Sequence, residues 1–396
     1  MIIKSNNIYL PNRTIDGYIE VSEGKIASIF TSYDGDDYTD YGDSYLIPGF
    51  IDLHAHGYGM GSFTHEGTLD SLDRMSQSLL TQGVTSFLPT TGTESLDSII
   101  SSSNVVNEFL DKDYKNGANV LGIHYEGPFI NKSRKGMQKE EYCINPSIEF
   151  FEKMMGDLSI DKVKLITIAP ELDGAKTFCQ YAMKNNIQLS IGHSDADFET
   201  IREMKQYGLN GVTHTFSGMK GFHHRELGVA GAALYFDDLY CEFAKQTGLT
   251  VLPEALDLAI RLKGLDKITL CSDSVGLAHV KKPFYHYIRQ TEFIPDGDYI
   301  ILKHDDGSVK RINRFTMDDM DDIEIGYLTS VKNLIKNNNL SLRNITKIAS
   351  ENTAKYINVF DRKGSIEVNK DADLVVMDSC YDVISTYVNG ELRYKN

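Results

Sequence analysis

The sequence predicts an α/β protein: a (β/α)8 barrel of the TIM type carrying a small β-sandwich domain formed from both chain termini. Three observations lead there. Between residues 49 and 273, eight short apolar runs alternate with segments of helical period, the pattern of strand–helix units around a parallel sheet. That span, about 225 residues, is the usual size of such a barrel. The two ends share a different texture, short alternating strands punctuated by glycine turns.

Taken in order, IIKSNNIYL and DGYIEVSEGKIASIF read as strands, with turns expected at Asp16–Gly17 and Glu23–Gly24. SYDGDDYTDYGDS is acidic and reads as a surface loop. The eight runs are GFIDLHAH, VTSFLPT, VLGIHYEGP, KLITIAPE, IQLSIGHS, GVTHTF, LYCEFA and KITLCSD. Helix candidates between them include SLDRMSQSLLTQ, SIEFFEKMMG, DFETIREMKQYG and LPEALDLAIRLKG. The third of these follows Ser194–Asp195, a cap candidate, and stops at Gly208. After the eighth run come β-like pieces in DYIILKHDDGSVKRI and the charge run MDDMDDIE, expected to be a solvated loop. YLTSVKNLIKNN and SLRNITKIASENTAKYINV read as helical. The chain then returns to strands, in KGSIEVNKDADLVVMD and in VISTYVNGELRY with a hairpin at Asn389–Gly390. Residues 1–48 and 359–396 are therefore expected to form one composite β-domain, and 49–358 the barrel.

Composition narrows the function. The 396 residues carry 40 Lys+Arg against 56 Asp+Glu, a net charge of −16, which argues against a nucleic-acid backbone as partner. A small anion is not excluded, since it needs only a local arginine or a few amides. No run approaches the roughly 20 apolar residues of a membrane span, and MIIKSNNIYLPN has no apolar signal region. The five cysteines are scattered and without CxxC pairing, so the expected compartment is the reducing cytoplasm.

Reactive groups of such barrels lie at the C-terminal ends of the strands. The first run ends in His54-Ala55-His56, the third in Glu126, and the fifth in His193. The sixth carries His214 and the eighth ends in Asp273. Side chains alternate along a strand with period two, so His54 and His56 leave on the same face. Neutral imidazole and carboxylate are the ligands that zinc and similar divalent ions favour. Such an ion lowers the pKa of bound water to about 7, and a nearby carboxylate can carry the proton onward. Asp273 is the candidate for that transfer. A lone buried histidine is more often a hydrogen-bonded core residue, but five such strand ends at one mouth point to a metal site. His124 shares strand parity with Glu126 and reads equally as core or as support for the ligands. His65, His279, His286 and His304 fall in expected loops and read as surface residues.

The motifs PGFIDLHAHG, GIHYEGPFIN, TIAPE, IGHSDA, THTFSGM, FHHRELGVAGAAL, SDS and GSIEVNKDADLVVMD follow one another through nearly the whole chain. In them the sequence resembles the N-acetylglucosamine-6-phosphate deacetylase family of the amidohydrolase superfamily. The fourth run ends Ala169-Pro170-Glu171, without the metal-bridging lysine of many superfamily members; the similar deacetylases use a glutamate on the third strand, which Glu126 matches. The resemblance implies Glu126, His193 and His214 as principal ligands, with His54 and His56 binding a second ion or vestigial. The ion is expected to be zinc, one or two per chain, with Fe, Mn or Co as the other candidates. Asp273 is implied as general base and acid. Arg225 matches the arginine that grips the 6-phosphate, commonly across a homodimer into the neighbouring subunit's site. Ser217 and Gly218 fall where the family supplies further phosphate contacts. The implied reaction is hydrolysis of the acetamide of an N-acetyl-hexosamine 6-phosphate to hexosamine 6-phosphate and acetate.

Some positions depart from the family's pattern. Thr250, in AKQTGLTV, stands where a sugar-contacting histidine is usual, and the acyl-site segment LAGS has no clear counterpart in INRFTMDDMDDIEIG. Gln138 occupies a position that is His in some relatives. Two other readings follow from those departures. One is a related amidohydrolase acting on a different N-acyl or cyclic amide, and the other a catalytically weak sugar-phosphate binder.

Overall fold

The computed structural model describes residues 1–112, 114–244, 250–287 and 289–396. Eight parallel strands follow one another in chain order: Phe50–Tyr58, Val84–Thr91, Ile123–Glu126, Val163–Ile168, Gln188–Ile191, Leu209–Val212, Tyr240–Ala244 and Ile268–Cys271. They are called strands one to eight below. Each pairs with the next, and Ser274–Val275, just past strand eight, pairs in parallel with strand one. The result is a curled parallel sheet whose strand ends converge on one mouth. A helix follows every strand, from Leu69–Leu80 after strand one to Tyr327–Asn338 after strand eight.

Local chemistry explains where these helices start and which face they bury. Thr68 caps the first by accepting from Ser71 N at 3.2 Å, and Ser71 returns a bond to the Thr68 backbone. A cap of this kind is worth about 1 kcal/mol. Leu72, Met75 and Leu79 then fall at i, i+3 and i+7 and are buried against the sheet, about 1.5–3 kcal/mol for each such side chain taken from water. The helix Phe198–Met204 is capped not by Ser194 or Asp195 but by Asp197, whose side chain accepts from Thr200 N at 2.7 Å. It ends, through one 3-10 turn, at Gly208 with φ +92°.

Both chain ends join in one eight-stranded sheet with its own apolar cluster around Ile3, Ile19, Leu46, Leu374 and Val376. The pairing is that of a single sheet, where a sandwich of two was expected. Glu23–Gly24 and Asn389–Gly390 do turn hairpins, all four residues having positive φ. Asp16–Gly17 does not: it lies inside the strand Thr14–Ser22, and the chain turns earlier, where Leu10 N bonds Arg13 O at 2.9 Å. A buried Lys363–Asp373 pair at 2.5 Å, with Asn389 N on the other carboxylate oxygen, ties the C-terminal strands together, and Gly49 N, just before strand one, donates to Asp373 O at 2.9 Å.

The segment after strand eight forms a four-stranded antiparallel sheet, Phe284–His286, Thr291–Asp296, Tyr299–His304 and Val309–Asn313. MDDMDDIE is a loop only in its first part, with all four aspartates exposed. Met320–Ile323 makes a short helix with Met320 and Ile323 buried, and Glu324 beyond it is buried as well. Among the described residues no helix is long and apolar enough to cross a membrane.

Candidate active site

The parallel strands bring His54, His56, Glu126, His193, His214 and Asp273 to one place at the mouth. His54 and His56 leave strand one on the same face, their Nε2 atoms 3.1 Å apart. His193, His214 and Asp273 lie just past strands five, six and eight, and all three are non-glycine residues with left-handed φ, +48°, +32° and +45°. Each such conformation costs on the order of 1 kcal/mol, strain that folds store at functional sites. It swings the three side chains inward over the strand ends. Gly218 has the same requirement, at φ +59°: an added Cβ would lie 3.2 Å from His193 Nδ1 and 3.4 Å from His214 Cε1.

Hydrogen bonding fixes the state of the four imidazoles. The Nδ1 atoms face Glu242 Oε1 (His54, 2.9 Å), Thr90 O (His56, 3.0 Å), Arg134 O (His193, 2.9 Å) and Ser217 O (His214, 3.1 Å). Carbonyls and carboxylates only accept, so every Nδ1 donates, and in the neutral rings every Nε2 is a bare lone pair. Those lone pairs face one another and Glu126. His193 Nε2 and His214 Nε2 are 3.1 Å apart, and lie 3.1 and 3.0 Å from Glu126 Oε1. His56 Nε2 is 3.2 Å from the other oxygen, Oε2. Acceptors packed this way repel unless positive charge lies between them.

The titration behaviour has the same cause. Burial alone would lower His54, yet the carboxylates of Glu126, Glu242 and Asp273 raise it well above the ordinary imidazole range. His214 is raised likewise, burial being outweighed by Glu126. Glu126 is held well below the carboxylate range: burial opposes this, and His54, His193 and His214 prevail. The cluster calls for protons or for a cation.

The spacing suits a cation. Two donors sharing an ion at roughly 2.0–2.1 Å lie about 2.9–3.4 Å apart, the range seen within Glu126/His193/His214. His54, His56 and Glu126 form a second such group, in which only the His54 Nε2–Glu126 Oε1 distance, 3.5 Å, is longer. Gln138 steadies the shared carboxylate, with Nε2 2.5 Å from Glu126 Oε2 while its Oε1 accepts from Thr93 N at 2.7 Å. Asp273 Oδ1 stands 3.6 Å from His54 Nε2, and its backbone N donates to His54 O at 2.8 Å. Asp52 braces that corner, accepting from Ser272 Oγ at 2.5 Å and Ser272 N at 3.1 Å. Burial pushes the Asp52 carboxyl up to about 6 against those bonds.

A profile of the amidohydrolase family matches residues 45–393. N-acetylglucosamine-6-phosphate deacetylase of Bacillus subtilis is 33% identical over 410 residues, covering 100% of this chain and 97% of that protein. The chain belongs to the N-acetylglucosamine-6-phosphate deacetylase family of amidohydrolases. Solved structures agree: the deacetylase of Pasteurella multocida superposes with a TM-score of 0.82 at 26% identity, and that of Thermotoga maritima with 0.80 at 27%, each covering 100% of both chains.

In this amidohydrolase the cluster opens into a cavity of about 430 Å³, a size suited to a small ligand. Ser217, Gly218, Gln138 and Thr250 line it. Residues 245–249 of the segment departing from the family's pattern lie outside the described residues. Arg225 is exposed and does not line the cavity of its own chain.

The four histidines read as surface residues are otherwise. His279 is buried, its Nε2 3.0 Å from Gly59 O, and burial holds the half-buried His65 down to about 4. His304 sits on a strand, 2.8 Å from Thr291 Oγ1, and His286 lies in the cavity wall. His124 packs behind the cluster with its ring 4.8 Å from that of His54, its nitrogens on Leu53 O and Thr167 Oγ1.

Sequence reasoning missed Glu242, which was read as part of a strand; a lone carboxylate inside the apolar run LYCEFA was the available signal. It also missed the part of the cavity wall formed by His286, Tyr287, Arg289, Glu324 and Ile325. Glu324 fastens that wall to the site by accepting from Val275 N and from Gly276 N, the latter at 2.9 Å.

Proposed function

We propose that this amidohydrolase removes the acetyl group of an N-acetyl-hexosamine 6-phosphate, N-acetylglucosamine 6-phosphate first among them, giving the hexosamine 6-phosphate and acetate. The observation that carries the reading is the ring of four histidine Nε2 atoms around Glu126, with Asp273 beside it, at the floor of a ligand-sized cavity. Full-length similarity to the Bacillus subtilis enzyme, whose name states this substrate, supports it.

In this reading Glu126, His193 and His214 would hold the principal divalent ion, and His54, His56 and Glu126 would hold a second. Zinc suits these nitrogen and oxygen donors, with Fe, Mn and Co as alternatives. A bound ion of this kind supplies water of pKa about 7 and polarises the amide carbonyl. Asp273 takes the proton of the attacking water and returns it to the departing amine nitrogen. Its backbone bond to His54 O and its left-handed φ hold the carboxylate over the cluster.

Ser217 offers its hydroxyl and Gly218 its backbone amide to the phosphate, and Gln138 and Thr250 line the sugar's side. Arg225, outside its own chain's cavity, reaches the phosphate in the neighbouring subunit of a homodimer, where its planar fork pairs bidentately with phosphate oxygens. We assign the chemistry to a (β/α)8 barrel of residues 49–358 and the residues 1–48 with 359–396 to a composite β-domain, in a cytoplasmic enzyme. The test is acetate release by metal-replete protein from the 6-phosphates of N-acetylglucosamine, N-acetylgalactosamine and N-acetylmannosamine, against their unphosphorylated forms. Turnover is expected on at least the first; none on any phosphorylated sugar overturns the reading.

A further inference from the structure

We infer that Glu242 is the positioning residue of the His54–His56 half of the cluster, fixing the tautomer and ring plane of His54 and supplying the negative charge that lets this half hold its own ion. The inference rests on the metal-dependent reading above.

Glu242 lies in strand seven between Cys241 and Phe243, only 3% exposed. A buried carboxylate costs several kcal/mol unless its bonds are met, and its neighbours in the strand are apolar. Its Oε1 accepts two bonds, from His54 Nδ1 at 2.9 Å and from His214 N at 3.1 Å. One oxygen therefore ties together a histidine from each half of the cluster.

Two comparisons within the site separate this role from mere packing. Three of the four site histidines donate Nδ1–H to backbone carbonyls, and His54 alone donates to a carboxylate. A carbonyl fixes a tautomer, whereas a carboxylate also makes the imidazole a stronger donor to an ion. His54 further stands 3.5 Å from Glu126 Oε1, against 3.1 and 3.0 Å for His193 and His214. The His193/His214 half thus has two short contacts on Glu126 Oε1, whereas the His54/His56 half has one, His56 Nε2 at 3.2 Å on Oε2, an oxygen that also accepts from Gln138. Glu242 makes up the charge that the His54/His56 half lacks.

The experiment compares wild type, E242Q and E242A as zinc-loaded proteins. Zinc per chain is counted, affinity is read by chelator competition, and the histidine tautomers are read in long-range ¹H–¹⁵N spectra. Wild type is expected to hold two ions with His54 in the Nδ1–H form. E242Q keeps an acceptor and loses the charge, so the weaker ion should fall by about tenfold in affinity, and E242A by about 100-fold. His54 should lose its fixed Nδ1–H signature in E242A, and one ion should remain in both variants.

Wild-type affinity and an unchanged His54 signal in E242Q, whether the protein holds one ion or two, overturn the inference. Equal loss of both ions overturns it as well, by making Glu242 a general packing residue. Zinc binding that responds to Glu242 without any deacetylation would break the functional reading and leave this one standing; deacetylation with metal affinity indifferent to Glu242 would do the reverse.

Discussion

The two sides of the cavity are built on different principles. On one side, the ends of parallel strands hold six chemical groups whose spacing is set by the sheet: strands lie about 4.8 Å apart and side chains alternate with period two. On the other, His286, Tyr287, Arg289, Glu324 and Ile325 come from the segment after strand eight that carries the four-stranded sheet, fastened to the parallel sheet through Glu324. Under the proposed reaction the difference teaches that bond-making groups sit where the backbone has least freedom, and substrate contacts where the chain can vary without disturbing them.

Changes at the strand ends and changes at loop contacts should therefore fail differently. Asp273→Asn strikes the sheet side and should lower kcat by about 10³-fold or more while zinc content stays at the wild-type level. Near-wild-type turnover in that variant would remove Asp273 from the chemistry. Arg225→Ala strikes a loop contact and should raise KM for phosphorylated substrates by roughly 10-fold or more, the size of a lost charge-assisted hydrogen bond, with kcat little changed. An equal rise for unphosphorylated sugars would dissolve the distinction between the two kinds of group.

The smallest effect concerns pH. In metal-free protein, His54 and His214 have raised folded-state values. Their stabilisation is therefore complete below the unfolded imidazole value, about 6.5, and is lost as pH rises through the folded values. Glu126 and Glu242 are lowered, so their contribution is present above about 4.3, the unfolded carboxylate value, and is lost as pH falls through the folded ones. Metal-free Tm should thus decline by roughly 2 °C or more from pH 6 to pH 8.5. The rise in Tm on adding zinc should be greater at pH 8 than at pH 6, because protons compete for the same lone pairs. A zinc effect larger at pH 6 would contradict the account of the cluster.

The same contrast explains what the sequence disclosed. His54, His56, Glu126, His193, His214 and Asp273 were legible because strand ends follow from apolar runs, and their side chains must then meet at one mouth. Glu242 escaped because a single carboxylate in LYCEFA changes no periodicity; its meaning appears only when His54 arrives from strand one. The wall of His286 to Ile325 escaped because its position depends on how a four-stranded sheet docks, which no local pattern states. Asp16–Gly17 misled for a related reason: the pairing of Ile2–Tyr9 with Thr14–Ser22 moves the turn to Leu10–Arg13, and Gly17 simply pairs with Ser5.

The central claim, that four bare imidazole nitrogens and Glu126 work by holding a divalent ion beside Asp273, is tested most directly by stripping the protein of metal and titrating zinc back. Acetate release from N-acetylglucosamine 6-phosphate should be absent at the start and rise in step with zinc bound, saturating at one or two ions per chain. Release that survives stripping, or that stays absent at full zinc occupancy, would contradict the account.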